Sequence, residues 1–226
     1  MATLQGDDNM KRNIFRAMQN SMKILAVMVA LAAPVFAGPP LVCHLINIGS
    51  AQSLPWTSTT WNLSGGEGYD VNHLVADTLA FLSPDAPVLV RMETIRRAAL
   101  YSQNDATVAR ELLAGLATRA THGEHDAFAD FDYGYLIETY RQLDMALRMS
   151  RGSANRGDWV NPAAALDGYA WVKKAIGMRG RDAEMEFAAA LITTENSKQD
   201  YQEHVAKAKD GMKEDPLLAQ NVASHF

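Results

Sequence analysis

The chain has 226 residues, with 21 Lys and Arg against 26 Asp and Glu, 48% hydrophobic residues and a single cysteine. Hydrophobic content near one half excludes an intrinsically disordered chain. One cysteine excludes a disulfide-stapled scaffold or an all-cysteine zinc site, and a net charge of -5 leaves no basic footprint for nucleic acid.

The chain opens on an address. Lys11, Arg12, Arg16 and Lys23 precede an uncharged run of 14 residues from Ile24 to Ala37. That run is shorter than the roughly 20 apolar residues a membrane-spanning helix needs. Val35-Phe36-Ala37 places small residues where a signal peptidase reads them, just after the helix-breaking Pro34. Residues 1–37 are therefore predicted to be a signal peptide, cleaved after Ala37, that sends the protein to the periplasm or out of the cell. Met1, Met10 and Met22 each offer a start for it. The alternative is an uncleaved N-terminal anchor continuing to Ile48, which Pro39, Pro40 and His44 make costly. An uncleaved leader is the only membrane contact expected.

Residues 38–68 show no sustained period. They carry Pro39, Pro40, Pro55, Trp56, Trp61 and the pair Gly65-Gly66, and read as an extended lead-in. From Tyr69 the spacing turns helical. Val71, Leu74, Val75, Thr78, Leu79 and Leu82 mark one buried face, with Asp70 as the cap and Ser83-Pro84 as the stop. A second helix is predicted from about Asp85 to Ser102, and a third from Asn104-Asp105 to Gly123. The fourth and longest runs from about Asp126 to Met149, with Phe128, Phe131, Tyr135, Leu136, Leu143 and Leu147 inward and Asp130 and Tyr133 toward water. Gly134 inside it costs about 1 kcal/mol against alanine, which points to close approach of a neighbour. Asn161-Pro162 opens a fifth helix, Gly180-Arg181-Asp182 turns into a sixth, and Ser197 caps a seventh ending near Asp215-Pro216, with a short eighth possible beyond.

No alternating run of strand length occurs, so the fold class is all-α: an irregular bundle of about seven helices in antiparallel, repeat-like hairpins. Residues 69–226 make one helical domain, with a sub-boundary at 150–161 where the chain is polar and rich in glycine. The spacing between Tyr169 and Leu191 departs from a tetratricopeptide unit, and no second copy occurs at a fixed period.

Few patterns carry chemistry. His122-Gly-Glu-His125-Asp126 is the densest set of ligand-type residues, and His122, Glu124, His125 and Asp126 are the candidate ligands for Zn or a similar divalent ion with an open position for water. The spacing matches neither a zincin nor a di-iron bundle, and Asp126 also serves as a helix cap. Cys43-His44 offers a thiol and an imidazole, but adjacent residues need a further ligand from elsewhere to bind one ion. Covalent haem attachment lacks its first cysteine, since Pro40 stands there. Trp56, Trp61 and Tyr69 form the candidate partner-binding aromatics, set against a role as a cover for the core. Asp132 and Glu138 are expected to pair with Arg91, Arg96, Arg97 or Arg141. Nucleophile and nucleotide-binding signatures are missing.

The expectation is an exported, non-catalytic helical scaffold without a cofactor that binds a peptide or protein partner. A metal-binding protein or metal-dependent enzyme using His122, Glu124 and His125 is the alternative.

Overall fold

The computed structural model describes residues 39–56, 63, 68–122, 126–151 and 159–226. The predicted leader with its cleavage residue Ala37, the ring of Trp61, the ligand candidates Glu124 and His125, and residues 152–158 of the expected sub-boundary lie outside the described residues.

Among the described residues the chain is all helix and turn, with no strand. A four-residue turn of helix, α1 (Pro40–Cys43), interrupts the segment expected to be extended throughout. A 3-10 turn (Val71–His73) leads into α2 (Leu74–Phe81), followed by α3 (Val88–Ser102), α4 (Ala106–His122) and α5 (Ala127–Arg151). Then come α6 (Gly168–Arg179), α7 (Ala183–Thr193), α8 (Lys198–Gly211) and α9 (Pro216–His225). None of them is long and apolar enough to cross a membrane.

Local chemistry sets most of the helix starts. Side-chain oxygens of Asp70, Asp105, Asp167, Asp182, Ser197 and Asp215 each accept a backbone N–H in the first turn that would otherwise lack a partner. Pro216 stands in the first turn of α9, where its missing N–H costs nothing. The fifth predicted helix is a correction. Asn161 Oδ1 accepts the Ala163 N–H at 2.8 Å, so Pro162 opens a turn and not a helix, and α6 begins only at Gly168 behind the Asp167 cap.

Helix α5 is the axis. Every residue from Ala129 to Tyr140 is buried, because α1, α3, α4 and α6 cover it from different sides. Asp130 and Tyr133, expected to face water, are only 2% and 8% exposed. The reason is α6, which lies antiparallel on that side: Arg141 reaches the Leu166 carbonyl at one end, and Lys174 pairs with Asp130 at 2.9 Å at the other. Gly134 and Gly168 let these two helices touch backbone to backbone. A second antiparallel hairpin joins α7 and α8, with Ala183 against Gly211 and Glu186 against Lys207.

Residues 40–56 have almost no regular structure, yet their backbone is not left unpaired. The Leu41 N–H donates to Gln142 Oε1 at 2.7 Å, and the Ile46 N–H to Glu93 Oε2 at 3.1 Å. Asn221 closes on Asn47 from both sides, Oδ1 accepting its N–H and Nδ2 donating to its carbonyl, each at 2.8 Å. Arg97 donates to the Leu54 carbonyl and Tyr101 to the Pro55 carbonyl. Side chains of α3, α5 and α9 thus substitute for the ladder a strand would have used, and hold the segment as a strap across the helices.

Candidate functional site

Three clusters of titratable groups lie inside the body. In the first, Arg91 and Asp132, both fully buried, meet at 2.7 Å between α3 and α5. Arg91 also donates to the carbonyls of Ser83 and Ala86, which ties down the turn before α3. Its guanidinium lies 4.2 Å from the centre of the Phe128 ring, and that of Arg179 lies 4.6 Å from it. Burial outweighs the attraction of Arg91 and Arg119 and pushes the Asp132 carboxyl up to about 7.

The second cluster centres on Glu93, which is wholly buried. Arg96 and Arg97 each donate to it at 2.7 Å, and it takes the Ile46 N–H from the strap. Arg96 also lies 4.9 Å from the centre of the Trp56 ring. Asp132 and Glu138 find partners from the expected set, Arg91 and Arg141, whereas Arg96 and Arg97 are taken by Glu93.

The third cluster bridges α6, α7 and α8. His204 Nδ1 contacts Glu186 Oε2, and its Nε2 lies 2.7 Å from the Tyr169 hydroxyl. Lys207 reaches Glu186 at 3.4 Å and Glu203 at 2.8 Å. A carboxylate, an imidazole and a hydroxyl in line can hold and pass a proton. The phenol is a poor nucleophile, however, because burial and the surrounding carboxylates push Tyr169 up to about 12. The arrangement locks three helices together. Sequence reasoning did not single it out, since its three members share no local spacing.

The residues singled out from the sequence are dispersed. His122 is exposed at the end of α4, its Nδ1 3.2 Å from the Thr118 carbonyl, and Asp126 caps α5 by accepting the Phe128 N–H at 2.9 Å. Among the described residues no three His, Cys, Asp or Glu side chains are grouped to hold a metal ion. Trp56 stands edge-on to Tyr101 at 5.8 Å, Tyr69 lies 4.5 Å from the same ring, and both pack against the core. The Tyr69 hydroxyl donates to Asp77 at 2.7 Å. Trp56 and Tyr69 therefore close the strap over α3.

The histidines complete the map. His73 sits in the open beside Asp70. His44 and His225, from the two ends of the described chain, lie with ring centres 5.6 Å apart. His225 is 2% exposed, and burial pushes its imidazole down to about 4. Cys43 is half-buried against the core, where burial raises its thiol against the pull of Arg96.

Among the described residues the exposed large apolar side chains include Leu45 in the strap and Met178 near the end of α6. Met149 is 68% exposed near the end of α5 and Val160 is 67% exposed before α6, with Leu166 a little further on. Comparison with protein-family profiles, characterised proteins and solved structures finds no match to this chain.

Proposed function

We propose that this chain is an exported helical scaffold that binds a peptide or protein partner and performs no chemistry of its own. Export rests on the basic residues before Ile24, the short apolar run and the Val35-Phe36-Ala37 cleavage pattern.

One observation carries the binding reading: Met149 near the end of the longest helix and Val160 before α6 are each about two-thirds exposed. Apolar side chains gain by leaving water, and a helix end with its following segment can offer them to an incoming helix or extended peptide. The absence of catalysis is supported by how the buried carboxylates and imidazoles are spent. Glu93, Glu186 and His204 each hold segments of the body together. The metal-dependent alternative at His122, Glu124 and His125 rests on spacing alone, and His122 and Asp126 serve helix ends.

Two measurements test this reading. N-terminal sequencing of protein recovered from outside the cytosol should read Gly-Pro-Pro-Leu from Gly38; an intact leader on cytosolic protein overturns export. The pair of changes Met149→Asp and Val160→Asp should leave the melting curve unchanged and abolish co-elution with the partner. Unchanged co-elution would remove this surface from the account.

A further inference from the structure

The strap is held as a bound peptide would be. Leu41, Val42, Ile46 and Leu54 turn into the core, but the side chains that meet its backbone are polar. Glu93 and Arg96 of α3, Gln142 of α5 and Asn221 of α9 lie beneath it, each 5% exposed or less.

These groups read the main chain. Gln142, Glu93 and Asn221 accept the N–H groups of Leu41, Ile46 and Asn47. Arg96, Asn221, Arg97 and Tyr101 donate to the carbonyls of Val42, Asn47, Leu54 and Pro55. Every peptide carries N–H and C=O groups, so such contacts supply affinity without reading sequence, and the apolar positions set the register. Side chain meets side chain at Ser53–Thr94 and Asn47–Gln220, each at 2.8 Å.

Between Ile46 and Leu54 the strap is thinly anchored. Asn47, Gly49, Ser50, Ala51 and Gln52 are all exposed. Lifting that stretch uncovers carboxylate, guanidinium and amide groups, which water solvates, where an apolar floor would cost about 25 cal/mol per Å² wetted.

We propose that this face of α3, α5 and α9 is a docking groove for an extended segment of a partner protein, with the strap seated in it as an internal competitor. The seated strap defines the occupant: an extended backbone with apolar side chains where the strap carries Leu41, Val42, Ile46 and Leu54. The proposal rests on the scaffold reading in that a peptide is bound, but it uses residues other than Met149 and Val160, so either surface can fail alone.

A tethered competitor acts at an effective concentration of about millimolar, so the parent chain should bind a free peptide weakly. Loosening the strap raises the open fraction of the groove, and the apparent affinity rises with it. The probe is a fluorescein-labelled synthetic peptide of residues 39–56 carrying Cys43→Ser, added to the full chain and followed by fluorescence anisotropy.

Asn47→Pro in the chain removes the N–H that Asn221 accepts and the amide that Gln220 accepts, and leaves the groove side chains in place. It should tighten peptide binding by about 10-fold or more, and Ser53→Ala, which removes the contact with Thr94, by about fivefold. Adding Asn221→Ala to Asn47→Pro should take the gain away while the melting curve stays cooperative. The proposal is overturned when both loosened chains, still folded, bind the peptide no more tightly than the parent. A gain that survives Asn221→Ala overturns it too. So does elution of the full chain as a dimer that the peptide splits, which would make a second copy the occupant.

Discussion

Gly134 of α5 and Gly168 of α6 touch backbone to backbone. A Cβ on Gly134 would lie 2.6 Å from the Gly168 carbonyl oxygen and 2.7 Å from the Trp171 Cβ, and a Cβ on Gly168 would strike the Gly134 carbonyl in return. Neither neighbour is the movable end of a long side chain, so the helices themselves would have to part. The hydrogen bond from the Tyr169 N–H to Glu138 Oε1, at 3.0 Å, depends on the same approach.

Gly134→Ala is therefore expected to destabilise the protein by about 1–3 kcal/mol, the usual cost of overpacking, despite the better helix propensity of alanine. Gly177 is the internal control, since a Cβ there meets nothing within 4 Å. Gly177→Ala should stabilise by about 0.4–1 kcal/mol. Urea titrations of the two variants check the opposite signs.

Glu93 holds the strap. Exchanging it for glutamine leaves buried Arg96 and partly buried Arg97 without their countercharge and weakens the acceptor for the Ile46 N–H. A cost of about 3–5 kcal/mol follows from breaking a buried pair on one side. Hydrogen exchange should rise first at Ile46 and Asn47, before α5 and α6 lose protection. Uniform loss of protection across the chain would mean the strap is not a separate unit.

The packed imidazole of His225 gives a pH dependence of definite sign. Burial lowers its pKa from 6.5 to about 4, so the unfolded chain binds a proton that the folded chain refuses between those values. Stability is whole above pH 6.5 and is lost as pH falls toward 4, by up to roughly 3 kcal/mol from this group. His225→Gln, which cannot titrate, should flatten that part of the profile. A slope equal to that of the parent between pH 6.5 and 4 would contradict the assignment.

Much of the fold was legible because its signals are local. Asp70, Asp182 and Ser197 announce helix starts through side chains that bond N–H groups two or three residues on. The close approach at Gly134 followed from a glycine placed where alanine would serve a lone helix better. Asp130 and Tyr133 were misread for a physical reason. A stripe pattern assumes one wet face, and α5 has none along its middle because α6 folds back over it. Asn161-Pro162 looked like a helix start, but an Asn side chain bonding two residues ahead serves a turn equally well.

The clusters were not legible. Glu186, His204 and Tyr169 come from three helices, and His44 meets His225 only once α9 has packed beside the strap. Spacing along the chain carries no trace of such meetings. Of the histidines that spacing did favour, His122 stands at an ordinary helix end.

The most direct measurement is site-specific photo-crosslinking in the native host, with a benzophenone side chain placed at position 149 or 160 and, as a control, at exposed Ala76 on α2. The account expects one discrete, larger species of the same added mass from 149 and 160 in the exported fraction, and none from position 76. Monomer alone at 149 and 160, or the same pattern from all three positions, would contradict it.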